Sequence, residues 1–231
     1  MNPLRRYKHA MLLAALIFGA FVESFSHREV LGPVLSDLVI TTMLLLIFLI
    51  VFERRVNRLV ACMAWATAVV ADGAHYLLPG YPEAPFQVIY HSAALLLAGF
   101  ATLVILRNIF ERQVVRVDDL LGAICGYLLA ASAWSNLFML IELFVPGSFS
   151  VGPGFGAWGD TWHRRIALLN YASLGSLTSL GSGAVVPVRP PVTMLTTLEA
   201  VFGQFYIAVV VARLVGARLS QAPQCNSSPP A

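Results

Sequence analysis

Apolar residues fall in six blocks along the chain: roughly His9–Phe25, Leu35–Phe52, Leu59–Leu78, Val88–Leu106, Leu120–Val145 and Val192–Val215. A helix needs ~20 residues to cross ~30 Å of hydrocarbon, so each block predicts a candidate membrane span. The first is near the short limit, and the fifth is long enough to tilt or protrude. Polar connections between the first five blocks are short. The connection between the fifth and sixth, from Pro146 to Pro191, is too long for a simple turn. It opens with glycines at 147, 152, 154, 156 and 159. A helix-like run follows from Trp162 to about Thr178, then Ser179-Leu180-Gly181-Ser182-Gly183, and then Pro187, Pro190 and Pro191. A run too short to cross and return, followed by irregular Gly-containing backbone, predicts a re-entrant segment. Such backbone is tolerated at membrane depth only where protein or water lines it.

Composition supports the membrane pattern. Hydrophobic residues make up 58% of the 231 and charged residues 12%, about half the ~25% of an ordinary soluble domain. The net charge of +3 comes from small clusters between apolar blocks, which argues against nucleic-acid binding. Arg5, Arg6, Lys8, Arg54, Arg55, Arg58, Arg107, Arg112, Arg116, Arg213 and Arg218 all fall on one set of alternate ends and account for 11 of the 15 bases. Arg28, Arg164, Arg165 and Arg189 fall on the other. The positive-inside rule then puts both termini in the cytoplasm, a parity that six spans satisfy. The first block also fits a secretory leader, but Glu23 and Phe25 leave it a poor cleavage site. Cys62, Cys125 and Cys225 form no paired motif, so neither a disulfide framework nor a zinc site is expected.

The run from Tyr171 to Pro187, Tyr-Ala-Ser-Leu-Gly-Ser-Leu-Thr-Ser-Leu-Gly-Ser-Gly-Ala-Val-Val-Pro, resembles the pore helix and filter of bacterial potassium-channel-like ion channels with a two-span pore. Those read approximately Y-F-S-x-x-T-L-T-T-L-G-Y-G-D-x-x-P. The helix-like stretch from Leu198 to Gly216 is similar to their inner helix, and the resemblance covers about residues 165–216. It implies an all-α membrane protein of six transmembrane helices, with a re-entrant pore helix and filter loop between helices five and six. The implied organisation is a four-helix peripheral membrane domain (1–116), a pore domain (117–220) and a disordered tail (221–231).

By the same resemblance, four copies of the chain surround one axis, and backbone carbonyls replace the water shell of a monovalent cation such as potassium. The implied filter is Thr178, Ser179, Leu180, Gly181, Ser182 and Gly183, with carbonyls from Ser179 to Ser182 facing the ion. Tyr171 and Glu199 support the pore, and Gly203 occupies the place of the inner-helix hinge. No cofactor or resident metal is implied beyond permeant ions. The implied partners are lipid and three further copies of the chain, and the implied location is the bacterial inner membrane. This chain departs from the pattern: Ser182 replaces the filter aromatic, Ala184 the acid after it, Ser179 the first threonine and Ala172 a pore-helix aromatic. Without these anchors the carbonyl rings are expected to be loose and weakly selective.

Other ionisable residues in the blocks have both plain and functional readings. Asp72 and His75 read as an interfacial pair or as the site of a small membrane enzyme or transporter, with Glu199 as a third member. Glu142 reads as an interfacial acid or a filter-flanking one, and His91 as an interhelical hydrogen-bonding group. Gly152-x-Gly154-x-Gly156 reads as a flexible stretch. No base lies between Val88 and Leu106, which rules out an arginine-ladder voltage sensor. No catalytic or nucleotide-binding motif occurs, so no enzyme activity is expected. A non-conducting scaffold or sensor that keeps the pore fold is the main alternative to a channel. The base asymmetry predicts that tags at Met1 and Ala231 are reached only from the cytoplasm. A periplasmic signal from either tag rules out the six-span topology.

Overall fold

A computed structural model of the chain describes residues 8–25, 42, 45, 55–77, 84–111, 117–152, 154, 155, 158, 162–181 and 183–219. Most of the second apolar block, the linker with Arg112 and Arg116, Ser182, Cys225 and the tail lie outside the described residues. So do the side chains of Asp72 and His75. The described elements are α1 (Lys8–Phe25), α2 (Arg55–Leu77), α3 (Ala84–Glu111), α4 (Val117–Phe144), β1 (Phe149–Val151), α5 (Trp162–Leu177), β2 (Val185–Pro187) and α6 (Pro190–Leu219).

Among the described residues, three helices are long and apolar enough to cross a membrane: Ala84–Glu111, Val117–Phe144 and Pro190–Gly216. They correspond to the fourth, fifth and sixth blocks. The apolar parts of α1 and α2, His9–Gly19 and Asn57–Ala71, are shorter. Helices suit such sequences because every interior amide and carbonyl is bonded within the element. Their ends are marked in the sequence. Asp118 and Asp119 place negative charge at the α4 N-terminus, opposite the helix dipole. Pro190 and Pro191 open α6, where a missing amide hydrogen costs nothing, and the Arg189 carbonyl takes the amides of Val192 (3.0 Å) and Thr193 (3.0 Å).

The central post is α4, which packs against α1, α3, α5 and α6, while α2 packs on α3. Small residues on α4 let its neighbours approach closely. The ring of His9 rests on Gly122, 3.3 Å from where a methyl group would stand. His9 also bonds Asp118 twice, through Nδ1 (2.7 Å) and its backbone amide (3.2 Å), which fastens the start of α1 to the start of α4. Further along, Tyr206 of α6 lies over Gly126 and donates its hydroxyl to the Ala123 carbonyl at 2.8 Å. Buried His91 of α3 meets Asn136 of α4 through Nδ1 at 2.8 Å, the interhelical role expected of it. Since Asn136 Nδ2 donates to Ser132 O, its Oδ1 is the acceptor and His91 Nδ1 carries the hydrogen.

Two apolar clusters result. One joins α1, α2, α3, α4 and α6 around Leu12, Ile105, Leu129 and Tyr206. The other joins α4, α5, the strands and the start of α6 around Phe138, Phe149, Leu169 and Ala184. The strands are the addition to the helical expectation. β1 and β2 form an antiparallel pair with Phe149 opposite Pro187 and Val151 opposite Val185.

A methyl at Gly126 would lie 2.6 Å from the Tyr206 hydroxyl. Gly126→Ala is therefore expected to destabilise the fold by about 1–3 kcal/mol. The penalty should shrink in a Tyr206→Phe background, which removes the clashing oxygen. Thermal unfolding of the four proteins of this cycle in detergent checks it, and equal penalties in both backgrounds contradict the packing.

Candidate functional site

The connection from α5 to β2 carries the unusual backbone of the molecule. α5 has 16 residues, or ~24 Å at 1.5 Å per residue, less than the ~30 Å of a hydrocarbon core. It ends in a paired hydrogen-bond closure. Ser179 N–H reaches Ser176 O at 2.9 Å and Leu180 N–H reaches Gly175 O at 2.9 Å, the pattern that ends many helices on a left-handed residue. That residue is Ser179, with φ of 56°, where glycine is usual. Gly181 N–H also reaches Gly175 O, at 3.1 Å. Gly181 (φ 70°) and Gly183 (φ 61°) repeat the left-handed conformation at every second position. Both sequence glycines are thus at positions that favour glycine.

Side chains of α6 support this connection from behind. A methyl at Gly203 would lie 2.1 Å from the Leu177 carbonyl oxygen and 2.8 Å from its Cα, so the helix backbones meet here. α6 runs uninterrupted through this residue, and close approach accounts for the glycine without a bend. Glu199, one turn earlier, is wholly buried, and its Oε1 accepts the Ser173 hydroxyl of α5. The same hydroxyl lies 2.9 Å from the Ala131 carbonyl of α4, so one small polar group joins three helices. Ser176 faces the same carboxyl. One residue beyond Gly203, Gln204 Nε2 donates to Ser179 Oγ at 2.9 Å.

The structure therefore brings Thr178, Ser179, Leu180, Gly181 and Gly183 into one connection with Glu199 and Gly203 behind it. Tyr171 lies elsewhere. It is half-exposed on α5 and its ring meets Phe155 at 5.9 Å, away from the turn. Thr178 through Gly181 and Gly183 are exposed, with Leu180 at 80%, beside exposed Val201 and Phe205 of α6. This face is not covered by the described residues of the same chain.

Sequence reading missed Ser173, Gln204 and the role of Gly152. Ser173 and Gln204 had a signal, since each is a polar residue in an apolar helix near Glu199 or Gly203. Gly152 is not merely flexible. Its amide bonds Ala184 O at 2.9 Å, and a methyl on it would lie 1.8 Å from Gly183 O. Gly154 (φ 96°) does need glycine's freedom, and Gly156 lies outside the described residues.

Gly203→Ala should lower thermal stability by about 1–3 kcal/mol, because its methyl meets rigid backbone and no side chain can swing aside. Glu199→Leu should cost a comparable amount by removing the buried polar link from α6 to Ser173 of α5, and Glu199→Gln less, since the amide can still bond the Ser173 hydroxyl. Denaturation midpoints check the order, and Glu199→Leu no worse than Glu199→Gln contradicts the buried linkage. Searches of protein-family models, curated proteins and solved structures find no match for this chain.

Proposed function

We propose that this chain is a potassium-channel-like cation channel of the membrane, conducting passively through a pore shared by four copies of the chain. The observation that carries the reading is the backbone of Ser179–Gly183. Ser179, Gly181 and Gly183 are left-handed, and left-handed residues at every second position can turn successive carbonyls to one side. Carbonyls gathered in this way suit a cation that must exchange its water shell for protein oxygens.

Three further features support the reading. The segment follows a helix of less than membrane length, as a pore helix requires. It is held from behind by Gly203, Glu199 and Gln204 of α6. Its open side also carries exposed apolar residues of α6, among them Leu198, Val201 and Phe205, which suits contact with further copies or lipid. In this arrangement the first three apolar blocks and α3, α4 and α6 cross the membrane, α5 enters and the 178–183 backbone returns. The chain orients with its termini in the cytoplasm.

Each part has a physical task. The Ser179–Ser182 carbonyls coordinate the ion, and the glycines permit the alternation. Glu199 and Ser173 keep α5 registered on α6, and Gly203 allows the helices to meet without a spacer. Ser182 and Ala184 leave out two side-chain anchors of the resembling channels. Selectivity is therefore expected to be modest.

Purified protein in liposomes should form tetramers and pass potassium and rubidium faster than sodium, with a preference below ~100-fold, or ~2.8 kcal/mol. Tracer uptake of the three ions measures it. Intact tetramers that pass none of them overturn the channel reading and favour a scaffold with the same fold. A larger preference overturns the modest selectivity alone.

A further inference from the structure

The outer end of the α5–β2 connection lacks the aromatic and the acid that hold it in the resembling channels, yet Ala184 is buried and bonded to Gly152, which also lies against the Gly183 carbonyl. We infer that the Glu142 carboxylate and the β1–β2 strand pair it anchors take over that task, making Glu142 and Gly152 positioning residues for the ion preference of the proposed pore. This inference rests on the channel reading above.

The contacts form one continuous series. Glu142 is buried in the last turn of α4, at 7% exposure. Its Oε1 accepts the Gly147 amide at 2.9 Å, and its Oε2 accepts the amides of Ser148 (3.0 Å) and Phe149 (3.2 Å). Bonds to an ionised acceptor are stronger than neutral ones, and three successive amides on one carboxylate fix the turn that starts β1. Ser148 is itself wholly buried, and its carbonyl takes the Val188 amide at 2.9 Å. The ladder then runs from Phe149–Pro187 to Val151–Val185. At its far end Gly152 bonds Ala184 and presses against the Gly183 carbonyl, with no space for even a methyl group between them.

An aromatic stack holds the strand pair in place. Phe138 of α4 meets Phe149 at 5.5 Å, and Phe149 stacks on Trp158 at 6.3 Å. Ala184 is buried in the same cluster, with no exposure. An acid there would be placed among Phe138, Phe149, Leu169 and Val185, where a carboxylate has no water. Alanine at 184 therefore belongs to a different way of holding the outer end, in which backbone pairing replaces a side-chain anchor.

The strand pair grips one end of the candidate filter and the α5 closure grips the other. Discrimination by a ring of carbonyls depends on its width or on how many carbonyls reach the ion, and both change if one grip loosens. If Glu142 served stability alone, its loss would lower the unfolding temperature and leave ion preference unmoved.

The test compares potassium and sodium uptake into liposomes by the wild type, Glu142→Gln and Gly152→Ala. Glu142→Gln presents an NH2 group to amides that need an acceptor, and Gly152→Ala drives a methyl into the Gly183 carbonyl. Each assembled variant should still pass potassium, with its potassium-to-sodium ratio lowered by about threefold or more. A smaller change in an assembled variant overturns the inference, as does a wild-type ratio already below about three. A conducting wild type with unmoved variants removes this inference alone, whereas a wild type that passes no cation removes the channel reading and this inference with it. Should neither variant assemble, amide exchange on the wild type decides. By linkage, the amides of Gly147, Ser148, Phe149 and Gly152 should exchange more slowly in potassium than in sodium by about threefold or more, and equal rates overturn the inference.

Discussion

The irregular backbone between Leu177 and Val185 lacks the hydrogen bonds that a helix supplies internally, and nearby groups provide part of the replacement, to its backbone and to the Ser179 hydroxyl. The Gly175 carbonyl takes two amides, of Leu180 and Gly181. Gln204 reaches Ser179 from one side, and the Gly152 amide reaches Ala184 from the other. An unmet polar group in apolar surroundings costs several kcal/mol, so a connection of this shape persists only where neighbouring elements are close enough to serve it. Close approach in turn requires small residues. Gly203 admits the Leu177 backbone, Gly152 admits the Gly183 carbonyl, and Gly126 admits the Tyr206 hydroxyl that fastens α6 to α4.

The polar side chains buried among these helices follow the same logic. Ser173 touches both α4 and α6, and Glu199 is fixed by the hydroxyl it accepts. His91 and Asn136 join α3 to α4, while His9 and Asp118 join α1 to α4. Helices surrounded by lipid gain little from apolar contact with one another, so hydrogen bonds and tight small-residue packing set their register. The α4 helix takes part in each of these junctions, so the connection that it and α6 support is positioned relative to the whole bundle.

Much of the helical fold was legible because apolar length is a strong signal. The blocks at Val88–Leu106, Leu120–Val145 and Val192–Val215 became α3, α4 and α6, with ends that differ from the block bounds by a few residues. The run from Trp162 also became a helix, ending at Leu177 because Ser179 turns left-handed. Gly181 and Gly183 were readable as positions needing glycine. Less was legible where two distant segments define a residue's role. Three-residue strands carry almost no periodic signal, so the pairing of Phe149–Val151 with Val185–Pro187 was not anticipated. Gly152 looked like part of a flexible run because its reason, the Gly183 carbonyl, lies about thirty residues away in the chain. Glu142 was read as an interfacial or filter-flanking acid, since its partners are backbone amides and backbone amides leave no mark in a sequence.

A short helix, left-handed residues at 179, 181 and 183 and two grips on them together support the proposal that the Ser179–Gly183 segment lines a path for cations. Recording from purified protein in planar bilayers under a potassium chloride gradient tests this most directly. Discrete unitary currents that reverse near the potassium equilibrium potential are expected. Silent bilayers containing intact tetramers, or currents that reverse at the chloride potential, would contradict it.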